Sequence, residues 1–99
     1  MKASLNHLNK AFENRVRLGI MSVLAVNDSL DFNALKDILA ATDGNLATHL
    51  KKLEKEKFIG IEKSFIDRKP NTKYFITKTG KSAFTKHLDA LEQIINSQK

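Results

Sequence analysis

The sequence contains no cysteine, and that absence excludes several kinds of site. Without thiols there can be no disulfide, no thiolate nucleophile and no zinc site with cysteine ligands. Redox sensing through cysteine oxidation is excluded for the same reason. The absence fits a protein that works in a reducing cytoplasm, which is the location that we expect.

Long apolar runs and catalytic signatures are also missing. No apolar run approaches the roughly 20 residues that a membrane-spanning helix needs, and the residues after Met1 do not have the pattern of a secretory leader. There is no GxSxG or HExxH motif. The glycines are dispersed and form no phosphate-binding loop: Gly19, Gly44, Gly60 and Gly80. We therefore expect no enzyme, no cofactor and no membrane partner.

The histidines do not form the pattern of a metal site. His7, His49 and His87 are far apart in the sequence. His87 and Asp89 are two residues apart on a predicted helix, so their side chains point in different directions. A metal would have to be bound across a dimer interface. We expect no metal, and we expect His87 at the surface or in an interface.

Positive charge is in excess, and it is segregated along the chain. The net charge is +6. Residues 1–50 and residues 82–99 are each neutral, whereas residues 51–81 carry ten basic and four acidic side chains. A field concentrated in this way attracts a polyanion, most simply the backbone of a nucleic acid. The alternative is a solvated face that is basic for solubility.

The first half of the chain predicts helices with one short strand between them. Residues 4–27 have apolar side chains at helical spacing, and Asn14 can cap a second helix within this stretch. Residues 30–32 can add a short strand to a sheet. Residues 33–40 predict a short helix with Asn33 as its cap.

A tight connection and a third helix come next. Asp43 caps this helix, which extends over about residues 44–57. Its buried stripe consists of Leu46, Leu50 and Leu53. Two short helices joined by a tight turn are typical of a helix-turn-helix.

The rest of the chain predicts a hairpin and a last helix. Apolar residues follow the third helix, and residues 67–71, DRKPN, form a turn around Pro70. Residues 72–77 are rich in β-branched and aromatic side chains, which favour a second strand. The last helix begins near Thr79 and ends near residue 96. The whole chain, 1–99, thus predicts one winged helix-turn-helix domain, mainly α with a small β-hairpin wing.

The third helix is the predicted DNA-recognition helix. If its leucines face inward, Asn45, Thr48, His49 and Lys52 point outward together, near the helix end that enters a major groove. Asn45 can bond an adenine edge or a phosphate, and Thr48 a phosphate or a thymine methyl. His49 can donate to a phosphate or to a guanine acceptor. Lys51 and Lys52 can meet the DNA backbone.

The wing, about residues 66–73, is the second predicted contact. Arg68, Lys69 and Lys73 can straddle the phosphates, or Arg68 can enter the minor groove. Each phosphate neutralised makes the affinity more sensitive to salt.

Four segments within about residues 12–92 form a recognisable pattern: NRVRLGIMSVL, DFNALKDIL, TDGNLATHLKKLEKEKFI and KPNTKYFITKTGKSAF. With these segments the chain resembles a small family of bacterial and archaeal winged-helix transcriptional regulators that is related to the MarR and ArsR types. The resemblance implies a winged-helix fold, homodimerisation through the terminal helices, and binding to double-stranded operator DNA. It also places Asn45, Thr48 and His49 on the recognition helix, and Arg68, Lys69 and Thr72 on the wing.

The two ends of the chain have more apolar surface than a domain of this size needs to cover. We expect them to pack on the same ends of a second chain about a two-fold axis. The expected interface residues are Leu5, Leu8, Phe12, Leu88, Leu91, Ile94 and Ile95. Such a dimer suits a palindromic operator with half-sites about one helical turn apart. The alternative, that the last helix folds back on its own core, stays open for Phe84 and Leu88.

A second function also fits a winged-helix fold. The basic face can instead bind an acidic protein, so that the domain is a protein-interaction module without specific DNA binding. The polar side chains at positions 45, 48 and 49 favour base reading, because a protein interface more often has aromatic anchors.

Overall fold

Four α-helices and a three-stranded antiparallel sheet make up the computed structural model, which describes residues 4–98. The helices are α1 (Arg15–Leu24), α2 (Phe32–Leu39), α3 (Asp43–Lys55) and α4 (Lys78–Ser97). The strands are β1 (Leu30–Asp31), β2 (Ile59–Ile66) and β3 (Lys69–Ile76), arranged in the order β1-β3-β2. The predicted winged helix-turn-helix is confirmed, including the short strand, which pairs with β3.

The N-terminal segment before Asn14 differs from the helix predicted there. Its two single-turn 3-10 helices, Leu5–His7 and Lys10–Phe12, are capped by Ser4 and Asn9. Asn14 then caps α1, as expected, because its Oδ1 accepts hydrogen bonds from the backbone amides of Val16 and Arg17 at 3.0 and 3.1 Å. Ser4, Asn9 and Asn14 thus each accept hydrogen bonds from nearby backbone amides. Such local bonds compete with the backbone hydrogen bonds of a long helix.

Two caps lie one or two residues from their predicted positions. Asp31 caps α2 in place of Asn33, because β1 ends at Asp31 and its carboxylate accepts a backbone amide at 2.8 Å. Thr42 caps α3 in place of Asp43, which is the first residue of that helix. The Asp43 carboxylate remains near the positive end of the helix dipole, and it also binds the Lys36 ammonium at 2.8 Å.

The hairpin turns at two residues that lie before the predicted centre. Asp67 and Arg68 have φ values of 50° and 66°, the geometry of a type I′ turn, which matches the twist of the flanking strands. The predicted turn around Pro70 is wrong, because Pro70 lies within β3 opposite Phe65. Strand β1 pairs only with the other end of β3, so Pro70 sits where a missing N–H disrupts no pairing with β1.

The core lies between α1, α2, α3 and the base of the hairpin. The predicted leucine stripe of α3 is buried there, together with apolar side chains from every other helix. Its most deeply buried members are Ile20, Met21, Leu24, Leu35, Leu46, Leu53 and Ile59. Helix α4 approaches the hairpin base so closely that a Cβ atom on Gly80 would lie 1.9 Å from the carbonyl oxygen of Phe58.

The N-terminal segment packs on α4 through a cluster of rings. Phe12 is 2 % exposed, and its ring centroid lies 5.4 Å from that of Phe58 and 5.3 Å from that of Phe84. His87 is 5 % exposed, and its Nδ1 accepts a hydrogen bond from the Asn9 amide at 3.0 Å. The expected surface position of His87 is therefore wrong. The expected interface role of Phe12 is also wrong, because a ring in the core of its own chain has almost no surface left to offer a partner.

The molecule is elongated. Its radius of gyration is 15.2 Å and its principal extents are 58 × 26 × 21 Å, whereas a compact domain of 100 residues has a radius of gyration of about 13 Å. Helix α4 and the hairpin thus extend beyond the core.

Candidate nucleic-acid interface

The outer surface of α3 is polar and basic. Asn45, Thr48, Lys51 and Lys52 are exposed, and His49 is half-buried. With a turn of 100° per residue, these side chains divide between two sides of the helix. Thr48 and Lys51 face the hairpin, whereas Asn45, His49 and Lys52 lie towards α1.

The hairpin side of α3 forms one wall of a groove. A cavity of about 350 Å³ lies between α3 and the base of the hairpin. Thr48 and Lys51 line it from α3, and Ile61 and Tyr74 line it from β2 and β3. The groove identifies which face of the hairpin is directed at α3.

Strand register assigns the rest of that face. Directly paired residues of an antiparallel ladder share a face, and successive pairs alternate. Ile61 pairs with Tyr74, so the pairs Lys63 with Thr72 and Phe65 with Pro70 lie on the same face. Thr72, expected on the wing, is therefore on the α3 side of the hairpin.

The other expected wing residues are not all beside Thr72. Lys69 pairs with Ile66, and Lys73 pairs with Glu62, so both lysines are on the face directed away from α3. Arg68 is exposed at the turn itself, between the two faces. The structure thus brings Thr48 and Lys51 to the groove, places Thr72 farther along the same face of the hairpin, and leaves Lys69 and Lys73 on the opposite face.

The tip of the wing has an apolar component that was not predicted as part of the site. Phe65 is 76 % exposed, and Ile66 beside it is also exposed. Lys63 shares the face of Phe65 and adds a cation to the α3 side. Because alternate residues of a strand lie on one face, the spacing of residues 61, 63 and 65 could have placed Lys63 and Phe65 beside Ile61.

A buried arginine connects α1 to α3. Arg17 is 8 % exposed; its Nε donates to the carbonyl oxygen of Ala11 at 2.6 Å, and its Nη1 lies 3.0 Å from Nδ1 of His49. Burial lowers the pKa of His49, and the positive charges of Arg17 and Lys52 lower that pKa further. The signal in the sequence was the spacing of Arg17, which precedes Ile20 by three residues on the apolar side of α1.

The positive charge of residues 51–81 does not all lie on one surface. Lys78 and Lys81 belong to the first turn of α4. With Lys86 they line clefts beside α4, one of which includes Lys10 of the N-terminal segment. The lysines of α3 and Lys63 of the wing lie outside these clefts.

Apolar side chains remain exposed on α4. Leu88, Leu91 and Ile95 are 46 %, 39 % and 59 % exposed, and their spacing of three and four residues forms one stripe. Ile94 and Leu8 are half-buried, and Leu5 is exposed. Apart from Phe12, the expected interface residues therefore retain surface.

Two other kinds of site are absent from the described part of the chain. Within residues 4–98, no three His, Asp or Glu side chains lie close enough together to hold a metal ion. No helix in the same range is long and apolar enough to cross a membrane.

Comparison with known proteins gives the family. A family described as "winged helix DNA-binding domain" matches residues 16–95. The chain belongs to this winged helix DNA-binding family. It is thus a member of a family of DNA-binding regulators, not of enzymes, and the predicted likeness to small winged-helix regulators is confirmed.

One relative and two solved structures are similar to this chain over most of its length. An uncharacterised protein of Methanocaldococcus jannaschii is 39% identical over 85 residues, which cover 86% of this chain and 92% of that protein. A transcriptional regulator homologue from Pyrococcus horikoshii OT3 has the same fold with a TM-score of 0.82 and 31% identity, over 90% of this chain and 88% of that one. A MarR-family regulator from Silicibacter pomeroyi shares the fold with a TM-score of 0.66 and 13% identity, over 88% of this chain and 60% of that one.

Proposed function

We propose that the protein is a homodimeric, sequence-specific transcriptional regulator that acts on chromosomal DNA in the cytoplasm. Helix α3 enters the major groove, and the wing contacts the adjacent backbone or minor groove. The observation that carries this proposal is the groove between α3 and the hairpin. Thr48 and Lys51 line it from α3, and Ile61 and Tyr74 line it from the hairpin. Lys63 and Thr72 lie farther towards the tip on the same hairpin face, so one duplex can touch both elements.

The exposed side chains of α3 suit two kinds of contact. Lys51 and Lys52 are long, exposed cations that can each neutralise a phosphate. Asn45 is exposed in the first turn of the helix, where recognition helices contact base edges, and its amide can bond an adenine in two places. Arg68 at the wing tip adds a cation with the planar geometry that suits phosphates and narrow minor grooves.

The dimer is supported by the apolar stripe of α4. Leu88, Leu91 and Ile95 are exposed together on a helix that extends beyond the core, and Leu5 is exposed at the other end of the chain. A two-fold axis would cover such a stripe with its own copy. It would also present two α3 helices to the half-sites of a palindromic operator.

One observation favours the alternative of a protein-interaction module. Phe65 is an exposed aromatic side chain of the type that anchors protein interfaces. It lies on the same hairpin face as Lys63 and next to the Arg68 turn, and these cations suit an anionic partner. DNA satisfies that requirement directly, so we place the protein-interaction function second.

The proposal is tested by DNA binding of single variants. Duplexes selected from a random pool are labelled, and binding is measured by fluorescence anisotropy at several salt concentrations. Lys52→Ala should weaken binding to all sequences and reduce the salt slope by about 0.9 for each phosphate that is no longer neutralised. Asn45→Ala should cost about 1–3 kcal/mol at one base position and little on random DNA.

A control variant separates this surface from the rest of the basic chain. Lys81→Ala removes the same charge from the start of α4, outside the groove between α3 and the hairpin. We expect Lys81→Ala to bind DNA like the wild type. If selection enriches no duplex, or if Lys52→Ala and Lys81→Ala bind equally well, the proposed use of α3 is wrong.

A further inference from the structure

Arg17 is a buried cation with unusual partners. Buried arginines are ordinarily paired with an acidic group, because an unpaired charge is expensive to desolvate. Here the guanidinium binds the carbonyl oxygen of Ala11 and the imidazole of His49, and neither partner is a carboxylate. The side chain thus links the N-terminal segment and α1 to the recognition helix.

The contact determines the protonation of the histidine. A guanidinium has five N–H donors and no acceptor. In the 3.0 Å contact between Nη1 of Arg17 and Nδ1 of His49, Nδ1 must therefore be the acceptor and cannot carry a proton. A neutral imidazole with an unprotonated Nδ1 carries its proton on Nε2.

The protonated nitrogen is accessible to solvent. No hydrogen bond among residues 4–98 involves Nε2 of His49. In the same part of the chain, Nδ2 of Asn71 is the only buried polar side-chain atom without a partner, and His49 is only half-buried. Nε2 therefore reaches solvent, with an N–H that is free to donate.

We propose that Arg17 is a positioning residue that holds His49 as a neutral Nε2–H donor for a guanine in the major groove. The inference rests on the proposed function, because it assigns one base contact of the same recognition helix. Guanine presents two acceptors, O6 and N7, at its major-groove edge. A fixed donor can also bind adenine N7 or thymine O4, but it cannot accept a hydrogen bond from the amino groups of cytosine or adenine. Guanine, which presents two acceptors and no donor, is therefore the base that suits this tautomer best.

The charges around His49 oppose its protonation. The charged groups that act on it are Arg17 from α1 and Lys52 from α3, both positive, and they add to the effect of burial in lowering its pKa. A second proton would enter at Nδ1, directly against the guanidinium. His49 therefore stays neutral at pH values where a free histidine, with a pKa of about 6.5, becomes charged.

The sign of the effect on stability follows from this lowered pKa. Between the folded-state pKa and the ordinary value, the unfolded chain binds more protons at this position than the folded chain. The stability from His49 is therefore complete above about pH 6.5 and is lost as the pH falls through that interval.

The first test uses the protein without DNA. Imidazole 15N–1H correlation spectra are recorded between pH 5.5 and 7.5 for the wild type, for His49→Gln to assign the signal, and for Arg17→Met. The wild type should show an unprotonated Nδ1 and a protonated Nε2. Arg17→Met should show exchanging tautomers and a pKa nearer the ordinary value. Arg15→Met, on an exposed arginine in the first turn of α1, should behave like the wild type.

The second test uses selected duplexes with single base changes. Wild-type protein should lose about five- to tenfold in affinity when the contacted guanine is replaced, which is about 1–1.4 kcal/mol and within the range of one base contact. Arg17→Met should lose that preference with an unchanged salt slope, because Arg17 is buried and neutralises no phosphate. If His49→Gln weakens binding equally for all sequences, His49 contacts a phosphate and the base assignment is wrong.

The two tests fail separately. A wild-type spectrum with the proton on Nδ1, or with both tautomers at neutral pH, would overturn the role of Arg17 whatever the DNA result. The wild-type spectrum alone decides this even if Arg17→Met does not fold. Absence of DNA binding by a protein with the expected spectrum would instead overturn the proposed function.

Discussion

Replacing Arg68 by glycine should raise stability and weaken DNA binding at the same time. Arg68 occupies the second position of the wing turn with a φ of 66°. The left-handed region costs a side chain other than glycine roughly 1–2 kcal/mol. Glycine offsets part of that gain because its unfolded chain has more freedom, by about 0.4–1 kcal/mol. We therefore expect Arg68→Gly to increase the free energy of unfolding by about 0.5–1 kcal/mol.

The loss of the Arg68 cation should appear in the DNA measurements. Unfolding in urea, followed by circular dichroism at one protein concentration, gives the stability. Anisotropy titrations across a range of salt give the binding. If Arg68 neutralises one phosphate per subunit, the slope of log affinity against log salt should become less steep by about 0.9 for each subunit bound. If Arg68→Gly is no more stable than the wild type, the backbone at Arg68 is not strained. If the slope of log affinity against log salt is unchanged, Arg68 does not contact a phosphate.

Lys57 provides a control with the same backbone strain in another place. Its φ is 65°, and it lies just after the C-terminal end of α3. There the chain changes direction, and the Phe58 amide donates a hydrogen bond to the Leu53 carbonyl oxygen at 3.0 Å. Such positions favour glycine. Lys57→Gly should therefore stabilise the fold by a similar amount. Because Lys57 follows the C-terminal end of α3, its replacement should leave the salt slope unchanged.

Four further variants test the packing at two glycines, the cap of α1 and the dimer. Gly80→Ala should lower the free energy of unfolding by about 2 kcal/mol or more, because its Cβ would meet the backbone of Phe58 at 1.9 Å. Gly44→Ala, with nothing within 4 Å of its Cβ, should instead gain up to about 1 kcal/mol in helix propensity, and equal effects would refute the clash. Asn14→Ala should lower stability by about 1 kcal/mol in urea unfolding through loss of the α1 cap, and an unchanged midpoint would contradict that role. Leu91→Lys should reduce the mass in sedimentation from twice to once the 11.2 kDa of the chain; a wild type that sediments as a single chain would contradict the dimer.

The fold was predictable where the signal is local and periodic. The α3 stripe of Leu46, Leu50 and Leu53 and the β-rich segments of the hairpin follow from spacing alone, because burial of one face imposes a period of 3.6 or 2. The short strand at Leu30–Asp31 was also predictable, since an apolar and a polar residue between two helices suit one edge pairing.

Errors arose where several residues offered the same local chemistry. Asp31 and Asn33 can both cap a helix, and the end of the pairing between β1 and β3 decides between them. The only proline suggested the centre of the hairpin turn, whereas strand register places the turn at Asp67 and Arg68. With the turn at these residues, Lys69 and Lys73 both lie in β3 on the face directed away from α3.

The contact between Arg17 and His49 could not be derived from local sequence. The two residues are separated by 32 positions, and they meet because α1 and α3 cross in the core. The spacing of Arg17 from Ile20 fits the buried side of α1, but only the packing of two helices identifies its partner. The burial of His87 beneath the N-terminal segment has the same origin.

Footprinting of the wild-type protein on its selected duplex tests most directly whether α3 and the wing bind one DNA molecule together. Methylation interference reports guanine N7 in the major groove, and hydroxyl-radical cleavage reports the backbone. We expect two major-groove contact sites about one helical turn apart, each flanked by a protected backbone segment that disappears in Arg68→Gly. Protection of the backbone without any interference at guanine, or a single patch unaffected by Arg68→Gly, would contradict the account.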